Sequence, residues 1–268
     1  MNILVCLKQI LDPEVPARDF SLARSHLQAD PTCADLVTNI FCENALETAL
    51  QLRDRHGGRI SILSLGPASV EDTLRKGLAM QADAAFMILN DTGHLPDSAA
   101  TAKALAAAIG KLDRLDLILT GHESGDWGAG QTGGLLAEEL GLPFIAFVDE
   151  IEETGPDRLI LRQQNDSGWQ KFSAPMPVVA SITNSDHNLP RIPKIRDIIL
   201  ANRKPITSWS LGDLELSPDL FLPEHLLVRV TELTIPQAKG DCAFIEGATK
   251  EEKIGKLAEK IAAIARSI

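Results

Sequence analysis

Five short, largely apolar runs alternate with amphipathic stretches of helical period through residues 1–150, and that alternation leaves a chain few ways to fold. The runs are Ile3–Leu7, Arg59–Leu65, Ala84–Leu89, Leu115–Leu119 and Leu142–Val148. Strands buried on both faces read this way, because helices cover both sides of a parallel sheet. Between them, Glu43–Arg53 carries Ala45, Leu46, Ala49, Leu50 and Leu52 at helical spacing and stops at Gly57-Gly58. Ser69–Met80 sets Val70, Leu74, Gly77 and Leu78 on one side. Asp97 or Ser98 caps an Ala-rich helix through Leu112, and another helix runs from Gly130 to Leu140, closed by Gly141. This order predicts a mostly parallel sheet with helices on both faces, a three-layer α/β sandwich.

The pattern changes after residue 150. Arg158–Gln164 and Trp169–Ser173 flank Asn165-Asp166-Ser167-Gly168, a hairpin turn. Pro175–Ile182 adds an apolar strand, and Lys194–Lys204 is a basic stretch interleaved with Ile195, Ile198, Ile199 and Leu200. From Pro205 to Ala248 periodicity is weak, apart from a short strand expected at Leu226–Val230. So long an irregular stretch is uncommon inside a compact domain, and it reads as an arm that lies on something else. Lys250–Ile268 closes the chain as an amphipathic helix with Ile254, Leu257, Ile261 and Ile264 on one face. The expected division is an α/β domain over 1–205 and an extended C-terminal arm and helix over 206–268.

The segment richest in chemistry follows the fourth strand: Thr120-Gly121-His122-Glu123-Ser124-Gly125-Asp126-Trp127-Gly128-Ala129-Gly130-Gln131-Thr132-Gly133-Gly134. It runs from a strand end to a helix start, where open α/β sheets bind ligands. Glycines let backbone approach a ligand closely, and free N–H groups at a helix start attract phosphate. Gln131 and Thr132 add side-chain donors there. Gly128–Gly133 also matches GxGxxG with Asp149 downstream, a dinucleotide fingerprint. That fingerprint belongs on a tight turn after the first strand of its unit, whereas a long loop after the fourth strand carries it here. The bland alternative is a surface loop packed beside a helix start.

Several motifs in order resemble the electron transfer flavoprotein beta-subunit family, including its FixA-like branch. Ile3–Asp12 is similar to the family's opening strand, and Asn39-Ile40-Phe41-Cys42-Glu43-Asn44-Ala45-Leu46-Glu47 to its Asn-Pro-x-[Asp/Cys]-Glu-x-Ala-x-Glu motif. Ser64-Leu65-Gly66-Pro67, Leu74–Asp83 and Gly121–Gly134 resemble three more family motifs in the same order. The resemblance implies a heterodimer whose alpha subunit holds most of the redox FAD site, with the C-terminal arm and helix packed on that partner. It implies an adenine-nucleotide-hydrolase-like fold. It also implies a buried nucleotide lined by Cys6, Asn39, Ile40, Phe41, Cys42, Leu65, Gly121, His122, Glu123, Ser124, Gly125, Asp126, Trp127, Gly128, Ala129, Gly130, Gln131 and Thr132. That nucleotide is AMP in the respiratory branch and a second FAD in the electron-bifurcating branch. Gln131-Thr132-Gly133 looks like the AMP branch, while the added glycines at 128 and 130 leave room for a larger ligand.

On this reading the chain is an electron-transfer subunit with no substrate chemistry of its own. It shuttles electrons from flavoprotein dehydrogenases to an acceptor such as a quinone oxidoreductase. Asn188–Ile198 resembles the family's recognition loop, with Ile195 as aliphatic anchor and Lys194 and Arg196 as its basic flank. The residues alone also allow a helix start with a core-facing Ile195. A stand-alone adenine-nucleotide enzyme of related fold would need a glycine loop after its first strand, and Lys8–Asp12 has no glycine.

The remaining residues narrow the alternatives. His122 bonds a ligand or sits exposed in its loop; Trp127 stacks on a ligand ring or covers the pocket. Ser124 lacks a GxSxG setting, and no His pair has metal spacing. Net charge is −11, which disfavours nucleic acid and anionic membrane as partners. No run approaches a membrane span, the N-terminus reads as strand rather than signal peptide, and Cys6, Cys33, Cys42 and Cys242 are scattered like reduced thiols. The expected location is the cytoplasm.

Overall fold

The computed structural model describes every residue except 26, 154, 156, 237–241, 267 and 268. It divides into two compact units, Met1–Leu233 and Thr234–Ile268.

The first unit is built on β1 (Asn2–Leu7), β2 (Gln9–Leu11), β3 (Leu36–Thr38), β4 (Arg59–Gly66), β5 (Ala84–Leu89), β6 (Leu117–Gly121), β7 (Phe144–Glu153), β8 (Arg158–Asn165), β9 (Gly168–Pro175), β10 (Val178–Ile182) and β11 (Ile206–Trp209). Among the described residues, nine of these form one sheet in the order β11-β5-β4-β1-β6-β10-β7-β8-β9. It is parallel from β11 to β7, and the two pairings of β8, with β7 and with β9, are antiparallel. The expected mostly parallel sheet is therefore present. The Asn165–Gly168 turn closes the β8–β9 hairpin, whose ends pair Asn165 with Gly168.

Helices α1 (Ile40–His56) and α2 (Val70–Ala79) cover one face; α3 (Ser98–Ile109) and α4 (Thr132–Leu140) cover the other. Alternate residues of β1 serve the two layers: Ile3, Val5 and Leu7 pack under α1 and α2, Leu4 and Cys6 under α3 and α4. Asp97 supplies the α3 cap, its carboxylate accepting the Ala100 N–H at 2.8 Å. α5 (Ile195–Ala201) buries only Ala201.

Residues 206–233 belong to this unit and not to a separate arm. β11 adds to the sheet edge beside β5, and Leu211, Leu214 and Phe221 are buried in the α3–α4 side of the core. Short elements with apolar residues at irregular spacing hide such packing from a periodicity argument. The strand expected at Leu226–Val230 is irregular backbone.

In the second unit α6 (Lys250–Ala265) is capped by Thr249, whose hydroxyl accepts the Glu252 N–H. None of its residues is buried, and Ile254, Leu257, Ile261 and Ile264 present one apolar stripe. No helix of the described residues is long and apolar enough to cross a membrane.

Candidate functional site

The C-terminal ends of β1 and β6 meet the first turns of α1 and α4. Gly121, the last residue of β6, touches α1 so closely that a Cβ there would lie 3.0 Å from Phe41 Cβ and 3.1 Å from the Cys42 nitrogen. A Cβ there would force the α1 start to give by a few tenths of an ångström. Asn39, buried at the α1 start, makes no side-chain cap bond to its helix backbone, and its Nδ2 reaches Cys42 Sγ at 3.4 Å. Its Nδ2 donates to the Glu123 carbonyl at 2.8 Å and its Oδ1 accepts the Gly125 N–H at 3.1 Å. Lys8, just past β1, donates to Ser124 Oγ at 3.1 Å and to both Asp126 oxygens at 2.7 and 2.9 Å. The loop from Gly121 is thus pinned at four successive residues, 123 to 126, by groups over eighty residues away in sequence.

Beyond these pins the backbone turns through Gly128 and Gly130, both left-handed at φ 58° and 63°. The first i→i−4 bond of α4 runs from the Leu135 N–H to the Gln131 carbonyl, and Gln131 makes no side-chain cap. The amides of Thr132, Gly133 and Gly134 therefore have no intrahelical acceptor. Thr120 Oγ1 is buried without a partner below this turn, 2.7 Å from where a Gly133 Cβ would stand. Next to it a cavity of about 460 Å³ is lined by Gly130, Gln131, Asp97, Ser98, Leu227 and Val228, among others.

Around His122 the site is aromatic. Its ring meets Phe41 edge-on at 4.2 Å and tilts against Phe147 at 5.0 Å. The side chain is only 13% exposed, which removes the solvent-exposed reading of His122. Burial holds its pKa below the ordinary imidazole value, with nearby Glu123 opposing, so the ring is neutral at neutral pH. Nδ1 is buried without a partner. Phe147 occupies left-handed backbone at φ 53° beside irregular pairing of β7, a strained place for a bulky residue. Cys6 and Cys42 are buried, inert thiols; burial and then Cys42 push Cys6 up to about 12.

The remaining candidates fall into place around this frame. Cys6 and Leu65 face the α3–α4 layer, and Ile40 is half exposed at the α1 start. Trp127 is 44% exposed, and Ala129 lies on the open surface of the loop. Asp149 is not available to a ribose: Arg162 takes both of its oxygens at 2.8 and 3.0 Å, which disposes of the dinucleotide fingerprint. The stretch after β1 forms a two-stranded ribbon, β2 with β3, and no glycine loop. Lys8, Phe147 and Asp97 were not among the sequence-derived candidates. Lys8 carried a signal, a basic residue directly after a buried strand, and Asp97 was legible only as a helix cap.

A second surface lies at residues 187–196. Ile195 is 78% exposed and Ile192 91%, so Ile195 is not a core residue; Lys194 and Arg196 flank it in solvent. Irregular backbone here is held by a polar stripe on α1, at positions 44, 47, 51 and 54. Asn44 donates to the Asn188 carbonyl at 2.9 Å, and Gln51 to that of His187 at 2.8 Å. Arg191 grips both Glu47 oxygens at 2.8 and 3.0 Å and reaches Asp54 at 2.9 Å, which raises its pKa further. Glu47→Ala should lower stability by about 1–3 kcal/mol, because buried Glu47 leaves Arg191 with Asp54 alone. Urea unfolding checks this, and no loss would show that the loop holds itself.

The chain matches the model of the electron transfer flavoprotein domain over residues 34–214. It is 35% identical to the electron transfer flavoprotein subunit beta of Megasphaera elsdenii, with 98% of each chain covered. It is 30% identical to that of Thermoanaerobacterium thermosaccharolyticum, covering 94% of both. It is also 30% identical to the caffeyl-CoA reductase-Etf complex subunit CarD of Acetobacterium woodii, over 97% of this chain and 98% of the relative. The ordered motifs of its first half, the parallel sheet and the full-length likeness to beta subunits agree: the chain belongs to the electron transfer flavoprotein family, among its beta subunits.

Proposed function

We propose that the chain pairs with an alpha subunit and holds a buried AMP, while a FAD held mainly by that partner carries the electrons. The pair takes electrons from flavoprotein dehydrogenases and hands them to an acceptor such as a quinone oxidoreductase. The reading rests above all on the open N-terminus of α4 behind a loop pinned by Lys8 and Asn39. Three unpaired amides at a helix start favour an anion, and fixed donors cost no reorganisation when a phosphate arrives. When bound, FAD supplies the reversible uptake of electrons. This chain's part is to seat the nucleotide, exclude water with Phe41, His122 and Phe147, and present Ile195 to donors.

The heterodimer, denatured and examined by mass spectrometry, is expected to release one AMP and one FAD. Gly130→Val should lower AMP content several-fold, and the melting temperature by several degrees. A β-branched residue at φ 63° costs upwards of about 1–2 kcal/mol and distorts the turn before the free amides. Full AMP occupancy in that variant would remove the loop from the site. One observation favours a second reading, a FAD in this pocket: the cavity of about 460 Å³ continues past the α4 start to Asp97. Two FAD and no AMP per heterodimer is the outcome that selects it.

A further inference from the structure

Leu227 and Val228 line the cavity between the N-termini of α3 and α4, and hydrogen bonds to a single side chain hold them there. Asp97 Oδ1 accepts the α3 cap bond from Ala100, while Oδ2 accepts the N–H groups of Leu227 at 2.7 Å and Val228 at 3.0 Å. Leu226 packs on the α3–α4 side of the core, but Leu227 and Val228 are 82% and 63% exposed. Little apolar burial therefore secures the two residues that wall the cavity. Their neighbours on both sides are in irregular backbone, the kind of segment that opens locally at small cost. The opposite wall is Gly130 and Gln131, directly before the free amides of α4.

We propose that residues 226–228 form a strap, latched by Asp97, that closes the phosphate end of the nucleotide pocket and sets how fast the nucleotide leaves. The proposal rests on the nucleotide reading above. Asp97 is a positioning residue here: it reaches the ligand only through the backbone that it holds. It is also the one charged residue among those lining the cavity. While latched, its carboxylate is spent on three N–H donors, so its repulsion of a phosphate is muted. Release of the strap frees two of those three bonds and turns the bare carboxylate on the anion.

The test is exchange of the bound nucleotide in the purified heterodimer against excess isotope-labelled AMP, followed by mass spectrometry. Asp97→Asn keeps an oxygen for the Ala100 cap but removes the charged acceptor of the strap. Leu227→Pro deletes one donor from the strap side and leaves Asp97 intact. Both should speed release about tenfold or more, the effect of losing charge-assisted bonds, with the melting temperature nearly unchanged. Unchanged release in the two folded variants overturns the strap. Slower release in Asp97→Asn also overturns it, since that is what mere repulsion by the carboxylate predicts. A wild-type heterodimer with no nucleotide on this chain overturns the nucleotide reading, and the strap with it.

Discussion

Phe221→Ala is expected to destabilise the first unit by about 3–5 kcal/mol, the usual cost of emptying a core phenylalanine site. Phe221 is fully buried with Leu211 and Leu214 on the α3–α4 side, although it lies in the stretch whose sequence reads as a detached arm. The cavity left behind is flanked by short 3-10 turns at Gly212–Leu214 and Pro218–Phe221, which have few ways to collapse inward. Urea unfolding of the chain in complex with its partner and alone should report the same loss, because the ring packs within this chain. A loss below about 1 kcal/mol, or one seen only in the complex, would return residues 211–221 to the partner's surface.

The second large effect concerns binding. Ile195→Ala should weaken docking of a flavoprotein dehydrogenase by about 2–4 kcal/mol, roughly 30- to 1,000-fold in Kd. Its melting temperature and flavin content should barely move, since the side chain is 78% exposed and supports no core. Reversing the charge of Lys194 should act differently, slowing association in a salt-dependent way while dissociation stays the same. Electron transfer from the donor dehydrogenase, followed at several salt concentrations, separates the two. Unchanged electron transfer in Ile195→Ala would leave the exposed isoleucines without a docking role.

The parts of the fold that were legible in the sequence are those where local pattern and final packing agree. β1 and β4 are buried runs, α1 and α2 keep apolar residues at helical spacing, and Asn165–Gly168 is a hairpin turn by its own chemistry. What escaped is set by distant partners. Nothing local in Val178–Ile182 says that it slips between β6 and β7. Ile206–Trp209 is too short and too exposed to announce itself as a strand, and becomes one only beside β5. The loop Gly121–Thr132 was visible through its glycines, yet the residues that pin it, Asn39 and Lys8, are fixed by contacts spanning 84 to 118 positions. Asp97 was legible as a cap and illegible as a latch, for its second oxygen serves amides 130 and 131 positions on.

The polar stripe along α1 has a consequence for anyone who would move the proposed docking loop to another protein. Its four residues recur at helical spacing and hold main-chain or charged groups about 140 positions downstream. Residues 183–196 grafted alone onto a foreign scaffold would lose Asn44 and Glu47 and with them the geometry that sets Ile192 and Ile195 outward. The transferable part is a discontinuous module, one helix and one loop. Among natural relatives, a change at position 191 should travel with a change at 47, so a chimera that splits the chain between them would inherit mismatched halves.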